Sequence, residues 1–170
     1  MNTSRFLTDD QLFAQCRMDT YRGSGPGGQK RNKTSNAVRI VHASGVMGTA
    51  SEDRSLLVNK THALARLKVK LACELREPVD LPQFAPPGWL DEVKRGRSLA
   101  VSVKNPLYIP VVGLVLDLFH VTGASPAAVG ANLGVSTSAV LKVLESDSVV
   151  WMTANRMRAD AGLPPLSARR

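Results

Sequence analysis

The chain has 170 residues, enough for one ordinary domain or two small ones, and its hydrophobic fraction of 44% and charged fraction of 21% are those of a soluble globular protein. A net charge of +8 and a pI near 10 favour an anionic partner. Two cysteines, an N-terminus without an apolar run, and a longest apolar stretch, Ile109–Phe119, that Pro110, Gly113 and Asp117 interrupt lead us to expect no disulfide scaffold, signal peptide or bilayer span in this sequence.

Thr8-Asp-Asp-Gln11 predicts a helix start, with Thr8 as cap, acids in the first turn, and Leu12 and Phe13 as anchors. Cys16–Arg22 alternates as a strand does. A glycine-rich basic stretch follows, Arg22-Gly-Ser-Gly-Pro-Gly-Gly-Gln-Lys-Arg-Asn-Lys-Thr34. Ala37-Val-Arg-Ile-Val41 predicts a second strand, Ala43–Val46 a turn, and Val46–Ala50 a weaker third strand. From Ser55 to about Glu77 the sequence predicts a long helix, with Leu57, Leu64, Leu67, Leu71 and Leu75 on one stripe and Pro78 as its stop. Four prolines within 78–87 predict a linker, and the basic run Lys94-Arg-Gly-Arg97 closes it. Beyond, everything reads as helical. Leu107–Val121 is apolar on most sides. Ser125-Pro126, Gly134 and Ser136 punctuate Ser125–Leu144 as a helix-turn-helix, with Ala128, Val129 and Leu133 facing inward on the first helix and Val140, Leu141 and Leu144 apolar on the second. Asp147–Ala161 is a last helix with Val150, Trp151 and Met157 inside.

The glycine stretch carries the chemistry. Between Arg22 and Arg39 there are five cations and no acid, the footprint of a polyanion-binding loop. Gly23-x-Gly25-x-x-Gly28 formally matches a dinucleotide fingerprint, but the polar residues that follow could not form the required apolar helix. A phosphate-binding P-loop needs lysine directly after its last glycine, and here Gln29 intervenes. A flexible linker accounts for the glycines but not for Gln29 or the flanking strands. His42, His62 and His120 are scattered, Cys16 and Cys73 lie in no ligand spacing, and no metal site or catalytic dyad stands out.

From Asp19 to Ile40, through the turn at Ser44-Gly45 and on to Glu52-Asp-Arg-Ser55, the sequence resembles the catalytic domain of bacterial-type class I peptide chain release factors. Gly27, Gly28 and Gln29 match that family's Gly-Gly-Gln motif, and the resemblance covers roughly Cys16–Leu75. It implies codon-directed or rescue-type hydrolysis of the ester joining the nascent peptide to the P-site tRNA, performed only within the ribosomal peptidyl-transferase centre. Gly27, Gly28 and Gln29 would be the catalytic residues, the Gln29 backbone N–H stabilising the oxyanion or the departing 3′ hydroxyl. The Gln29 side chain would position or exclude water, and it is the family's methylation target, so a glutamine methyltransferase is an implied partner. Arg22, Lys30, Arg31, Asn32, Lys33 and Arg39 would contact ribosomal RNA. No cofactor or metal is implied, and the implied location is the cytoplasm.

The fold expectation is α+β: a small release-factor catalytic domain over residues 1–77, a mixed sheet packed by a long helix, then a Pro-rich linker over 78–98, then an all-α helix-turn-helix-like domain over 99–170. About 15 residues precede Cys16, too few for the stop-codon-reading domain of full-length factors, so the expected role is codon-independent rescue of stalled ribosomes. Known short rescue factors carry a long basic tail, whereas residues 98–170 hold six cations and four acids, with only Ala168-Arg-Arg170 resembling such a tail. The rival expectation is a regulatory protein that binds nucleic acid through the helix-turn-helix. Its second helix, with Lys142 as its one cation, offers little to a major groove.

Overall fold

The computed structural model describes residues 3–22 and 36–167. The chain divides into two units: Leu7–Glu74, and a helical unit joining the residues up to Phe6 to those from Leu75 onward.

In the first unit, helix α1 (Asp9–Phe13) opens on a reciprocal cap. The Thr8 hydroxyl accepts from the Gln11 N–H at 3.3 Å, and the Gln11 side chain accepts from the Thr8 N–H at 3.0 Å. Strands β1 (Cys16–Tyr21), β2 (Ala37–His42) and β3 (Met47–Ala50) form a sheet in that order. The sheet, expected to be mixed, is antiparallel in both described pairings. Each strand reverses into the next without a crossover, which leaves no parallel neighbour. Met18 stands opposite Ile40, and Ile40 opposite Gly48, so these three share one face. Helix α2 (Leu56–Glu74) packs on that face. Val38, Ile40, Ala63, Leu64, Leu67 and Leu71 form the core between them. Gly48 is required by closeness rather than by torsion: a Cβ there would sit 2.1 Å from the Ala63 carbonyl oxygen.

Two expectations for α2 are corrected. Leu57 is 72% exposed, because the buried position in the helix's first turn is taken by Asn59 instead. The helix also stops at Glu74, short of Pro78. Past it, the backbone groups serve the other unit: the Leu75 carbonyl accepts from Arg5, and the Glu77 N–H donates to Asp117.

The helical unit is built around α3 (Tyr108–Val121), whose Val111, Val112, Val115, Leu116, Leu118 and Phe119 are all fully buried. Helices α4 (Pro126–Leu133) and α5 (Thr137–Leu144) form the expected pair. Ser125 caps α4 through the Ala128 N–H, Gly134 turns the chain at φ +65°, and Ser136 caps α5 through the Ala139 N–H. The last helix, α6 (Ser148–Asp160), starts on an Asp147 cap. Val150 is inside as expected, but Trp151 and Met157 are only half-buried, the inner face being completed by Thr153 and Ala154.

Residues 78–98, read from sequence as a linker, lie in this unit. The prolines shape two short 3-10 turns, Leu81–Gln83 and Gly88–Glu92. Strands β4 (Lys94–Arg95) and β5 (Ser98–Leu99) then pair as a hairpin. Buried Leu90 and Val93 hold the segment down, and the Lys94 ammonium donates to the Leu133 carbonyl at the end of α4 at 3.0 Å. Three apolar or capping contacts of this kind were invisible in a stretch whose composition is dominated by proline and charge.

Candidate functional site

Gly27, Gly28 and Gln29, with Lys30, Arg31, Asn32 and Lys33, lie outside the described residues. Arg22 and Arg39 lie within them, as do the strand ends that frame residues 23–35.

Tyr21 pairs with Ala37 on the last rung of the β1–β2 ladder, so the two ends of the glycine stretch leave the sheet side by side. Arg22, next after that rung, is exposed. Arg39 is exposed on the face of the sheet away from α2, its guanidinium 5.4 Å from the centre of the Tyr21 ring. It stands opposite Asp19, which is itself 3.3 Å from Arg17. The two described members of the expected RNA-contact set therefore flank one end of one hairpin.

The return of the chain into β2 is held by a residue the sequence reading passed over. Asn59, fully buried on α2, donates from its side-chain amide to the Asn36 carbonyl at 2.7 Å and to the Asp53 carbonyl at 2.8 Å. Its amide oxygen accepts from the Asp53 N–H at 3.0 Å. Asn36 answers by donating its own side chain to the Arg54 carbonyl at 2.7 Å. The turn is tightened by the Asp53 carboxylate, which accepts from the Ser55 N–H at 2.7 Å. A signal was present: Asn59 is four residues before Ala63 and eight before Leu67, a polar residue on an apolar stripe.

Arg66 braces the same turn from the next coil of α2. Its guanidinium donates to the Thr49 carbonyl at 2.7 Å and to the Glu52 carboxylate. The hydrogen bond from Arg66 holds the Glu52 carboxyl down at about 2, against 4.5 for an ordinary glutamate, although burial opposes the shift. A depressed carboxyl stabilises the fold above its unfolded pKa, and that contribution is lost as the pH falls towards the folded value. Glu52→Gln is therefore expected to destabilise the protein at pH 6, with the difference from wild type vanishing between about pH 4.5 and 2. Urea unfolding across that range, followed by circular dichroism, reads this out.

The thiols are structural. Cys73 is buried, and burial pushes the Cys16 thiol up while it donates to the Leu12 carbonyl at 3.1 Å. No group of three or more His, Cys, Asp or Glu side chains among the described residues could hold a metal ion. No single described helix is long and apolar enough to cross a membrane.

The arrangement is a loop platform: two strands, one buried asparagine and one braced turn hold the ends of a glycine-rich basic stretch. Residues 12–82 match the RF-1 domain family. Peptide chain release factor 1 of Leptothrix cholodnii is 46% identical over 65 residues, which is 38% of this chain and 18% of that protein. Peptide chain release factor 2 of Bordetella pertussis is 52% identical over 59 residues, 34% of this chain and 16% of that protein. The same factor of Haemophilus influenzae is 51% identical over 59 residues, with the same coverage. The chain thus spans less than a fifth of the length of these relatives. In its sheet, its long helix and its sequence, the stretch 12–82 is similar to the RF-1 domain of the peptide chain release factors.

Proposed function

We propose that this chain releases nascent peptides from stalled ribosomes, promoting hydrolysis of the peptidyl-tRNA ester in the peptidyl-transferase centre without reading a codon. The observation that supports this reading is that the sequence Gly27-Gly28-Gln29 falls inside the RF-1 match, between the residues of the paired strands β1 and β2. The reacting water attacks the ester carbonyl, the bond to the tRNA 3′ oxygen breaks, and the peptide leaves as its acid. The Gln29 backbone N–H stabilises charge on the oxyanion or the leaving hydroxyl, a fixed dipole at the point where charge develops. Its side chain positions water, and it is the candidate for methylation by a glutamine methyltransferase. Arg22, Lys30, Arg31, Asn32, Lys33 and Arg39 steady the loop against ribosomal RNA, largely through phosphates, which position without specifying.

The reaction belongs to the ribosome and the protein to the cytoplasm where ribosomes work; the mechanism needs no general base from this chain.

The test is release of labelled peptide from purified ribosomes carrying peptidyl-tRNA in the P site. Equal release with a stop codon in the A site and with an mRNA ending at the P site is expected. Release only with the stop codon would overturn codon independence. No release in either arm would overturn hydrolysis.

A further inference from the structure

The helical unit holds a cavity of about 390 Å³, within the size range of ligand sites. Phe6, Phe84 and Trp89 put aromatic rings along it. Arg5 places Phe6 through its fork on Asp117, and buried Leu90 seats the turn that carries Trp89. The Phe6 and Trp89 rings meet edge to face, their centres 5.6 Å apart and their planes at 73°. Such a pair is a corner: the edge-on ring keeps both faces free of its partner, and the other keeps one. Phe6 is 48% exposed, and Phe84 and Trp89 are half-buried, so aromatic surface is left open.

The charged lining is acidic. Glu77, Asp80 and Asp117 stand against Arg5 alone, in a chain whose net charge is +8. Asp117 is taken by Arg5, and Glu77 lies 3.7 Å from the same guanidinium. Among the described residues, no cation pairs with Asp80. The reason is local. Asp80 stands at the cap of the Leu81–Gln83 turn, where an aspartate ordinarily accepts from an N–H two or three residues on. Pro82 has no N–H, and the Gln83 N–H donates at 3.1 Å to the Asp80 main-chain carbonyl instead. The carboxylate, denied both donors, is exposed at the cavity. The Gln83 side chain lines the same cavity and is exposed as well.

Open ring faces beside a carboxylate without a cation suit a flat organic cation. A guanidinium stacks on the rings and forks onto the carboxylate. The neighbouring amide of Gln83, with donors and an acceptor, matches a peptide group. We propose that this cavity takes an arginine side chain from an extended basic segment of a partner protein. The guanidinium lies between the aromatic rings and Asp80, and the partner's main chain bonds to Gln83. The carboxylates repel an anion, and a free small cation would leave Gln83 unused. The site lies wholly in the helical unit and does not depend on the release reading.

The indole N–H resonances of Trp89 and Trp151, in the isotope-labelled full chain, make the test; Trp89→Phe assigns them. Trp89 lines the cavity and Trp151 does not. Short capped glycine peptides with arginine, leucine or glutamate at the centre are titrated at physiological salt. The arginine peptide is expected to shift the Trp89 signal saturably and to leave that of Trp151 in place. Asp80→Asn is expected to weaken this binding about tenfold, and Gln83→Ala about threefold. Both side chains are exposed, so both variants should keep the wild-type spectrum elsewhere. An unmoved Trp89 signal, equal binding of the leucine or glutamate peptide, or either variant binding as tightly as wild type would overturn the proposal. So would free argininamide binding as tightly as the peptide. A Trp89 shift on raising the protein concentration alone would assign the cavity to a second copy of the chain, and would overturn it too.

Discussion

Asp117→Ala is expected to destabilise the helical unit by about 3–5 kcal/mol. Asp117 sits in the middle of α3, 2% exposed, among valines and leucines. An ionised carboxylate there is tolerable only because it is saturated with partners. Arg5 grips it in a two-pronged fork, through Nη1 and, at 3.0 Å, Nη2. The Glu77 N–H donates at 3.1 Å, and the Arg76 guanidinium lies at 3.1 Å. Gly113, one turn earlier on α3, makes room for the fork: a Cβ there would come within 2.4 Å of the Arg5 Nε. Removing the carboxylate leaves a buried guanidinium facing a cavity, which is why the cost is that of breaking a buried pair rather than the small net worth of making one. Both tryptophans, Trp89 and Trp151, belong to this unit, so urea unfolding followed by tryptophan fluorescence reports on it directly. A loss below about 1 kcal/mol would mean that the cluster is solvated in solution as an ordinary surface pair is.

Gly48→Ala is expected to cost about 3 kcal/mol in the RF-1 unit, at the upper end of what overpacking does. The added carbon would meet three atoms of α2: the Ala63 carbonyl oxygen at 2.1 Å, the Leu67 nitrogen at 2.8 Å and the Leu67 Cβ at 3.0 Å. Two of these are backbone, so no rotamer change relieves the clash. Either β3 lifts from α2 or the helix shifts, and both movements disturb the Asn59 and Arg66 ties at the same turn. Amide exchange over residues 37–50 should accelerate relative to α3. An unchanged exchange pattern would show that α2 and β3 approach less closely than described.

How much of this was legible beforehand follows from the range of each interaction. The strands β1 and β2 were readable because period-two alternation is local, and so were the caps of α4 and α5, where Ser125-Pro126, Gly134 and Ser136 act within three residues of themselves. The Gly-Gly-Gln motif was readable through its resemblance to the release factors; its spacing only set aside the dinucleotide and P-loop readings. The Arg5–Asp117 fork was not: its partners lie 112 residues apart, and each alone reads as one more charge. The β4–β5 hairpin was hidden because Lys94-Arg-Gly-Arg97 reads as one more charge run, two residues being too few to show the alternation of a strand. Asn59 was hidden for a third reason. A periodicity argument counts apolar residues on a stripe and passes over the polar one, though a polar residue on a buried stripe must find partners and so marks a tertiary contact.

The central claim is that the loop acts through the backbone of Gln29, and one comparison tests it most directly. Gln29→Ala keeps the N–H, whereas Gln29→Pro removes it. In single-turnover peptide release from ribosomes with no A-site codon, Gln29→Pro is expected to lose about 10²–10³-fold in rate while still binding the ribosome. Gln29→Ala should lose less, retaining the dipole but not the side chain that positions water. Release by Gln29→Pro at the wild-type rate would contradict the account.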